Sequence, residues 1–83
     1  MTAPLNTLNA RQRFASNLRR WRATRGFSQE FLAESADLSR VYISKVENCA
    51  TSVSIDAMEK IAVALSIDVS ELLATYSAHP SKD

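Results

Sequence analysis

Residues 28–48, SQEFLAESADLSRVYISKVEN, decide the fold of this chain. Ser28 supplies the hydroxyl of an N-cap, and behind it Leu32, Ala33 and Ala36 recur at helical spacing over Gln29 to Ala36. Asp37 and Leu38 make a turn. Ser39 is a second cap, and the helix it opens turns Ile43 and Val46 inward and Arg40, Val41, Ser44 and Lys45 outward. Two short helices joined by a turn of roughly three to four residues are the pattern of a helix-turn-helix.

Upstream, Asn9-Ala-Arg-Gln12 has the spacing of a capping box, in which Asn9 caps a first helix and Gln12 reaches back to its amide. Phe14, Leu18 and Trp21 recur along that helix among Arg19, Arg20 and Arg22, and Gly26 stops it in the left-handed conformation that glycine takes without steric penalty. Downstream, residues 48–53 are a polar connection, and Ser54 opens a fourth helix with Ile55, Met58, Ile61, Ala62 and Leu65 on one stripe. Asp68-Val-Ser-Glu71 repeats the capping-box pattern before a fifth helix carrying Leu72 and Leu73. The expected organisation is a frayed tail over residues 1–8, one all-α domain over 9–76 and a second tail over 77–83.

Composition limits the alternatives. With 83 residues, 46% of them hydrophobic, the chain builds one small core, and dimerisation would help it. One Gly and two Pro are too few for the tight turns of an all-β fold. No apolar run approaches the ~20 residues that span a bilayer, and the first residues lack the basic and apolar segments of a secretory signal. A single Cys excludes an intrachain disulfide framework and fits a reducing cytoplasm. Net charge is only +1, but residues 1–47 carry eight Arg or Lys against four carboxylates, a net +4. Residues 48–83 carry two Lys against five carboxylates, a net −3. Such asymmetry fits a protein with one DNA-facing side, and equally a solvated basic helix.

In a helix-turn-helix the second helix enters the major groove of duplex DNA, and its first residues reach base edges. The groove is about 12 Å wide and admits one helix with its side chains. Arg40 suits this geometry, because its planar fork matches O6 and N7 of guanine. Val41 suits a thymine methyl and Ser44 a base or a phosphate, with Lys45 one helical turn beyond Val41.

The Ser28 to Asn48 stretch resembles the helix-turn-helix of the Cro/phage-repressor-type (Xre-family) transcription regulators, a group that includes restriction–modification controller proteins. The similarity extends through Gly26, Met58-Glu-Lys-Ile-Ala-Val-Ala-Leu65 and Asp68-Val-Ser-Glu-Leu-Leu73. It implies a five-helix, lambda-repressor-like domain that binds double-stranded DNA. It also implies that Gln29 contacts a phosphate and braces the recognition helix, with base-reading positions at Arg40, Val41, Ser44 and Lys45. Arg22 and Glu47 fall where the family has a partly buried ion pair, whose loss on one side would strand the other charge. The expected DNA-binding set is Ser28, Gln29, Ser39, Arg40, Val41, Tyr42, Ser44, Lys45, Asn48 and Thr51.

The chain also departs from the family pattern. Cys49 stands where Gly is usual, so either the loop differs or a left-handed strain of about 1 kcal/mol is tolerated. Residues 50–53 lack the usual basic residue and Pro, leaving Thr51 and Ser52 as hydrogen-bond donors to phosphate. Trp21 reads as a core-edge residue. Tyr42 either packs its ring on the domain or extends its hydroxyl to a phosphate. Phe31 occupies a position that is polar in the family and suggests a contact surface. Cys49 reads as an inert thiol.

His79 is the only His and has no Cys, Asp or Glu at metal-ligand spacing, so neither metal nor cofactor is expected. With no nucleophile–base pair, the chain does not read as an enzyme. One recognition helix reads about half a site, so a homodimer on half-sites about 34–36 Å apart is expected. Ile67, Val69, Leu72, Leu73 and Tyr76 offer the apolar surface for it. The competing reading is an antitoxin-like module, with a toxin or similar protein as partner, that keeps the fold while DNA binding is secondary or lost. The uncharged 49–53 loop and Phe31 motivate it.

Overall fold

A computed structural model describes residues 8–75. Five helices follow one another: α1 (Ala10–Arg25), α2 (Gln29–Ala36), α3 (Arg40–Glu47), α4 (Ile55–Leu65) and α5 (Val69–Leu73), with no strand among the described residues. The expectations for residues 1–7 and 76–83, including Tyr76 and His79, fall outside this range.

Each helix starts on a side-chain cap. Asn9, Ser28, Ser39 and Ser54 accept from the amides of Gln12, Phe31, Tyr42 and Ala57, and Gln12 completes the capping box at α1. Each such bond satisfies an amide that the first turn leaves without a partner. The box expected at α5 takes a different form, because the Asp68 carboxylate accepts from Ser70 rather than from Glu71. The hydroxyl and backbone N–H of Ser70 hold the Asp68 carboxyl below its ordinary value.

Helices α1 to α4 end alike. In each, a residue with positive φ follows the last turn, and paired backbone bonds run back into the helix. At α1 the residue is Gly26 (φ 73), where an added Cβ would meet no atom within 4 Å, so backbone conformation alone favours glycine. Asp37 (φ 57), Cys49 (φ 59) and Ser66 (φ 61) do the same without being glycine. Cys49 thus keeps the left-handed turn. Its amide donates to Val46 O (3.1 Å) and that of Ala50 to Lys45 O (2.8 Å).

The core joins Phe14 and Leu18 of α1, Leu32 of α2, Ile43 of α3, Ile61 and Leu65 of α4 and Leu72 of α5, all fully buried. Two expectations are corrected here. Ile55 is 72% exposed and leaves the inward stripe of α4, where Ala57 takes the buried position of the first turn. Leu72 is 0% exposed and belongs to this core, so it cannot offer surface to a second copy. Trp21 packs against the core with Arg25 stacked 5.0 Å from its ring centroid.

The arginines of α1 reorganise the reading of charge. Arg13 Nε donates to Leu73 O (2.8 Å), Arg22 Nη1 to Phe27 O (2.9 Å), Arg25 Nε to Leu65 O (2.8 Å), and Arg19 to Glu47 O. Three of these carbonyls are the last residues of α5, α4 and α3, where carbonyls lack helical partners and a cation is favoured by the dipole. Four of the eight basic residues of the N-terminal half, Arg13, Arg19, Arg22 and Arg25, therefore serve the fold. Asn17, only 2% exposed, adds bonds from Nδ2 to Leu72 O and Ala74 O, both 2.9 Å.

Replacing Cys49 with Gly relieves a left-handed penalty of about 1–2 kcal/mol while adding unfolded-chain entropy worth roughly 0.5–1 kcal/mol. The expected outcome of Cys49→Gly is a thermal midpoint raised by a few degrees, at about 4–8 °C per kcal/mol for a domain of this size. A lowered midpoint in a calorimetric scan would show that the Cys49 side chain contributes more packing than the turn costs.

Candidate nucleic-acid interface

The recognition helix is fixed from behind. Ile43, Val46 and Glu47 of α3 are buried, at 0%, 2% and 3% exposure. Glu47 is a charged residue in that setting, and its carboxylate is fully engaged. Arg22 Nε donates to Oε2 at 2.7 Å and Nη2 to Oε1 at 3.0 Å, a two-point pairing, while Gln29 Nε2 adds a third bond to Oε1 at 2.9 Å. One carboxylate thereby holds the last residue of α3, the first of α2 and the last third of α1. Arg19 secures the backbone carbonyl of the same Glu47.

With its back fixed, α3 presents Arg40, Val41 (54% exposed) and Lys45 to solvent, and Ser44 half-exposed beside them. Ser28 and Ser39 are occupied as acceptors for the amides of Phe31 (2.9 Å) and Tyr42 (3.0 Å), and each hydroxyl keeps its own proton to donate. Gln29 spends one N–H of its amide nitrogen on Glu47, which leaves the second N–H free to donate. Tyr42 is half-buried with its ring packed against the core, Asn48 is exposed and Thr51 is half-buried. Phe31 is 49% exposed, and its ring meets Phe27 edge-on at 4.6 Å between centroids, which gives it a structural partner.

The expected DNA-binding residues thus sit on α3, on the starts of α2 and α3, and on the connection after α3. Sequence reasoning missed Arg13, Arg19 and Arg25 as carbonyl partners and Phe27 as the support of Phe31. Arg19 and Arg22 lie three residues apart on one helical face, which is the available signal that both address the same neighbour. Among the described residues no helix is long and apolar enough to cross a membrane, and no group of three potential metal ligands occurs.

The chain belongs to the helix-turn-helix family HTH_3, whose profile matches residues 18–72. It is a DNA-binding helix-turn-helix transcription regulator of the Xre type, and solved structures of such proteins resemble it. A hypothetical transcription factor from Neisseria is 32% identical over 90% of this chain and 84% of its own, with a TM-score of 0.79. The restriction-modification controller protein C.AhdI from Aeromonas hydrophila is 39% identical over 75% of this chain and 94% of its own, at 0.73. The clp gene regulator ClgR from Corynebacterium glutamicum is 29% identical over 80% of this chain and 70% of its own, at 0.75. No match is found among curated proteins.

Removing one partner of the Glu47 cluster leaves a buried charge unpaired. Arg22→Ala is expected to destabilise the domain by about 3 kcal/mol, and Gln29→Ala by about 1 kcal/mol, read from urea unfolding. Equal small losses in both variants would mean that water replaces the guanidinium at little cost.

Proposed function

We propose that the chain binds a palindromic operator as a homodimer in the cytoplasm, with α3 in the major groove of each half-site. Arg40, Val41, Ser44 and Lys45 read base edges. Ser28, Gln29, Ser39, Tyr42, Asn48 and Thr51 contact the sugar–phosphate backbone, which positions the helix without reading sequence. The observation that carries this reading is the division of α3 into a buried, multiply bonded back and an exposed front bearing Arg40, Val41 and Lys45.

The proposed dimer surface is now smaller. Ile67, Val69 and Leu73 are half-buried within one chain and remain available, whereas Leu72 is removed from the set. The support is the geometry of half-sites, since one recognition helix of eight residues covers only part of an operator.

Selection of bound sequences from a random duplex pool is expected to yield a two-fold symmetric consensus. Arg40→Ala is expected to cost about 1–3 kcal/mol in operator binding and to relax preference at one base position per half-site. An unchanged footprint and preference would remove Arg40 from base reading. Sedimentation is expected to show a dimer that Leu73→Asp shifts toward monomer. A monomer at micromolar concentration, with and without DNA, would refute the dimer.

A further inference from the structure

On the flank of the domain, α2 and α4 border an open groove of about 480 Å³ whose lining includes no residue of α3. Its lining includes the buried Ala36, the carboxylates of Asp37, Asp56 and Glu59, the single Lys60 and the exposed Val63. Val63 is 70% exposed, and Ile55 at 72% lies on the same stripe of α4, since residues 55, 59 and 63 repeat every four positions. These are the two most exposed large hydrophobics among the described residues, and the intramolecular packing of α4 uses its opposite side, through Ala57, Ile61, Ala62 and Leu65. None of the three carboxylates has an ion-pair partner among the described residues.

We infer that this groove docks an amphipathic helix of a protein partner, one that carries an apolar stripe flanked by lysine or arginine. A trough between two helices receives the side-chain ridge of a third, with apolar anchors at helical spacing. Val63 supplies the apolar contact, and three carboxylates against one ammonium select a basic helix by charge complementarity. Since the groove shares no residue with α3, the partner binds whether or not DNA is present.

The test uses the whole chain and a synthetic amphipathic helix of leucine and lysine, with the same peptide carrying glutamate for lysine as control. In nitrogen-15 spectra recorded without DNA, the lysine peptide is expected to shift the amides of Ala36, Asp37, Lys60 and Val63 and to leave those of Arg40 to Lys45 unmoved. The Asp56→Lys/Glu59→Lys variant, altered only at exposed positions, is expected to bind the lysine peptide at least about tenfold more weakly and to gain affinity for the glutamate peptide. Val63→Ser is expected to weaken both complexes, with circular dichroism unchanged in either variant. Shifts scattered over the surface, equal binding of both peptides by the native chain, or no effect of the charge reversal would overturn the inference. So would a loss of self-association in Val63→Ser, which would assign the groove to a second copy. None of these outcomes depends on DNA binding, so they stand apart from the operator reading.

Discussion

The buried carboxylate of Glu47 is the point on which the arrangement of the first three helices depends. An ionised group at 3% exposure is costly unless its oxygens are bonded, and here three N–H donors reach it from two other helices. Neither Arg22 nor Gln29 has an equivalent acceptor if α3 slides or rotates. Hydrophobic contacts between Leu32, Ile43 and Val46 tolerate small shifts, because dispersion is not directional. The carboxylate cluster is directional, and it fixes how far α3 stands out from α1 and α2. The position of the recognition helix is therefore set by a polar contact on its hidden side.

Around that centre, α1 acts as a spine of donors. Its arginines reach the C-terminal carbonyls of α3, α4 and α5, three places where the chain leaves a helix and its acceptors would otherwise need water. The net charge is only +1, because nine Asp or Glu offset ten Lys or Arg. Three of those ten, Arg13, Arg19 and Arg25, bond helix-end carbonyls, and the exposed cations on the recognition helix are only Arg40 and Lys45. A weak overall field is compatible with groove reading, because base contacts depend on placed donors rather than on total charge.

Most of the fold was legible because its boundaries are written in local chemistry. Asn9, Ser28, Ser39 and Ser54 each sit one residue before a helix, and Gly26 sits just after one, so propensity and capping agree with the final packing. The misses have equally local causes. Ile55 matched the apolar period of α4, but it lies at the first helical position, where the neighbouring helices do not reach, and Ala57 fills the buried place. Leu72 and Leu73 are adjacent in sequence and differ in burial because successive residues on a helix point about 100° apart, so only Leu72 enters the core fully. The arginine–carbonyl contacts had no sequence signature, since any helix terminus offers the same acceptors and only tertiary placement chooses among them. The outward face of α3 was legible as a pattern, whereas the engagement of Gln29 by Glu47 needed the packed helices to be seen.

The same contacts bear on the departure at Cys49. A non-glycine residue in the left-handed region costs about 1–2 kcal/mol, and the chain accepts this at Asp37, Cys49 and Ser66. Asp is among the types that enter this region most readily. At the other two turns, an arginine of α1 binds the last carbonyl of the helix before the strained residue: Arg19 at Glu47, two residues before Cys49, and Arg25 at Leu65, one before Ser66. A hydrogen bond from a charged donor contributes about 1.5–3 kcal/mol when desolvated and less when partly exposed, as these are. That offsets part of the strain. The turn after α3 is therefore held by the spine rather than by the residue type at its apex. Its geometry, and with it the placement of Asn48 and Thr51 beside α3, is preserved although the usual glycine is missing.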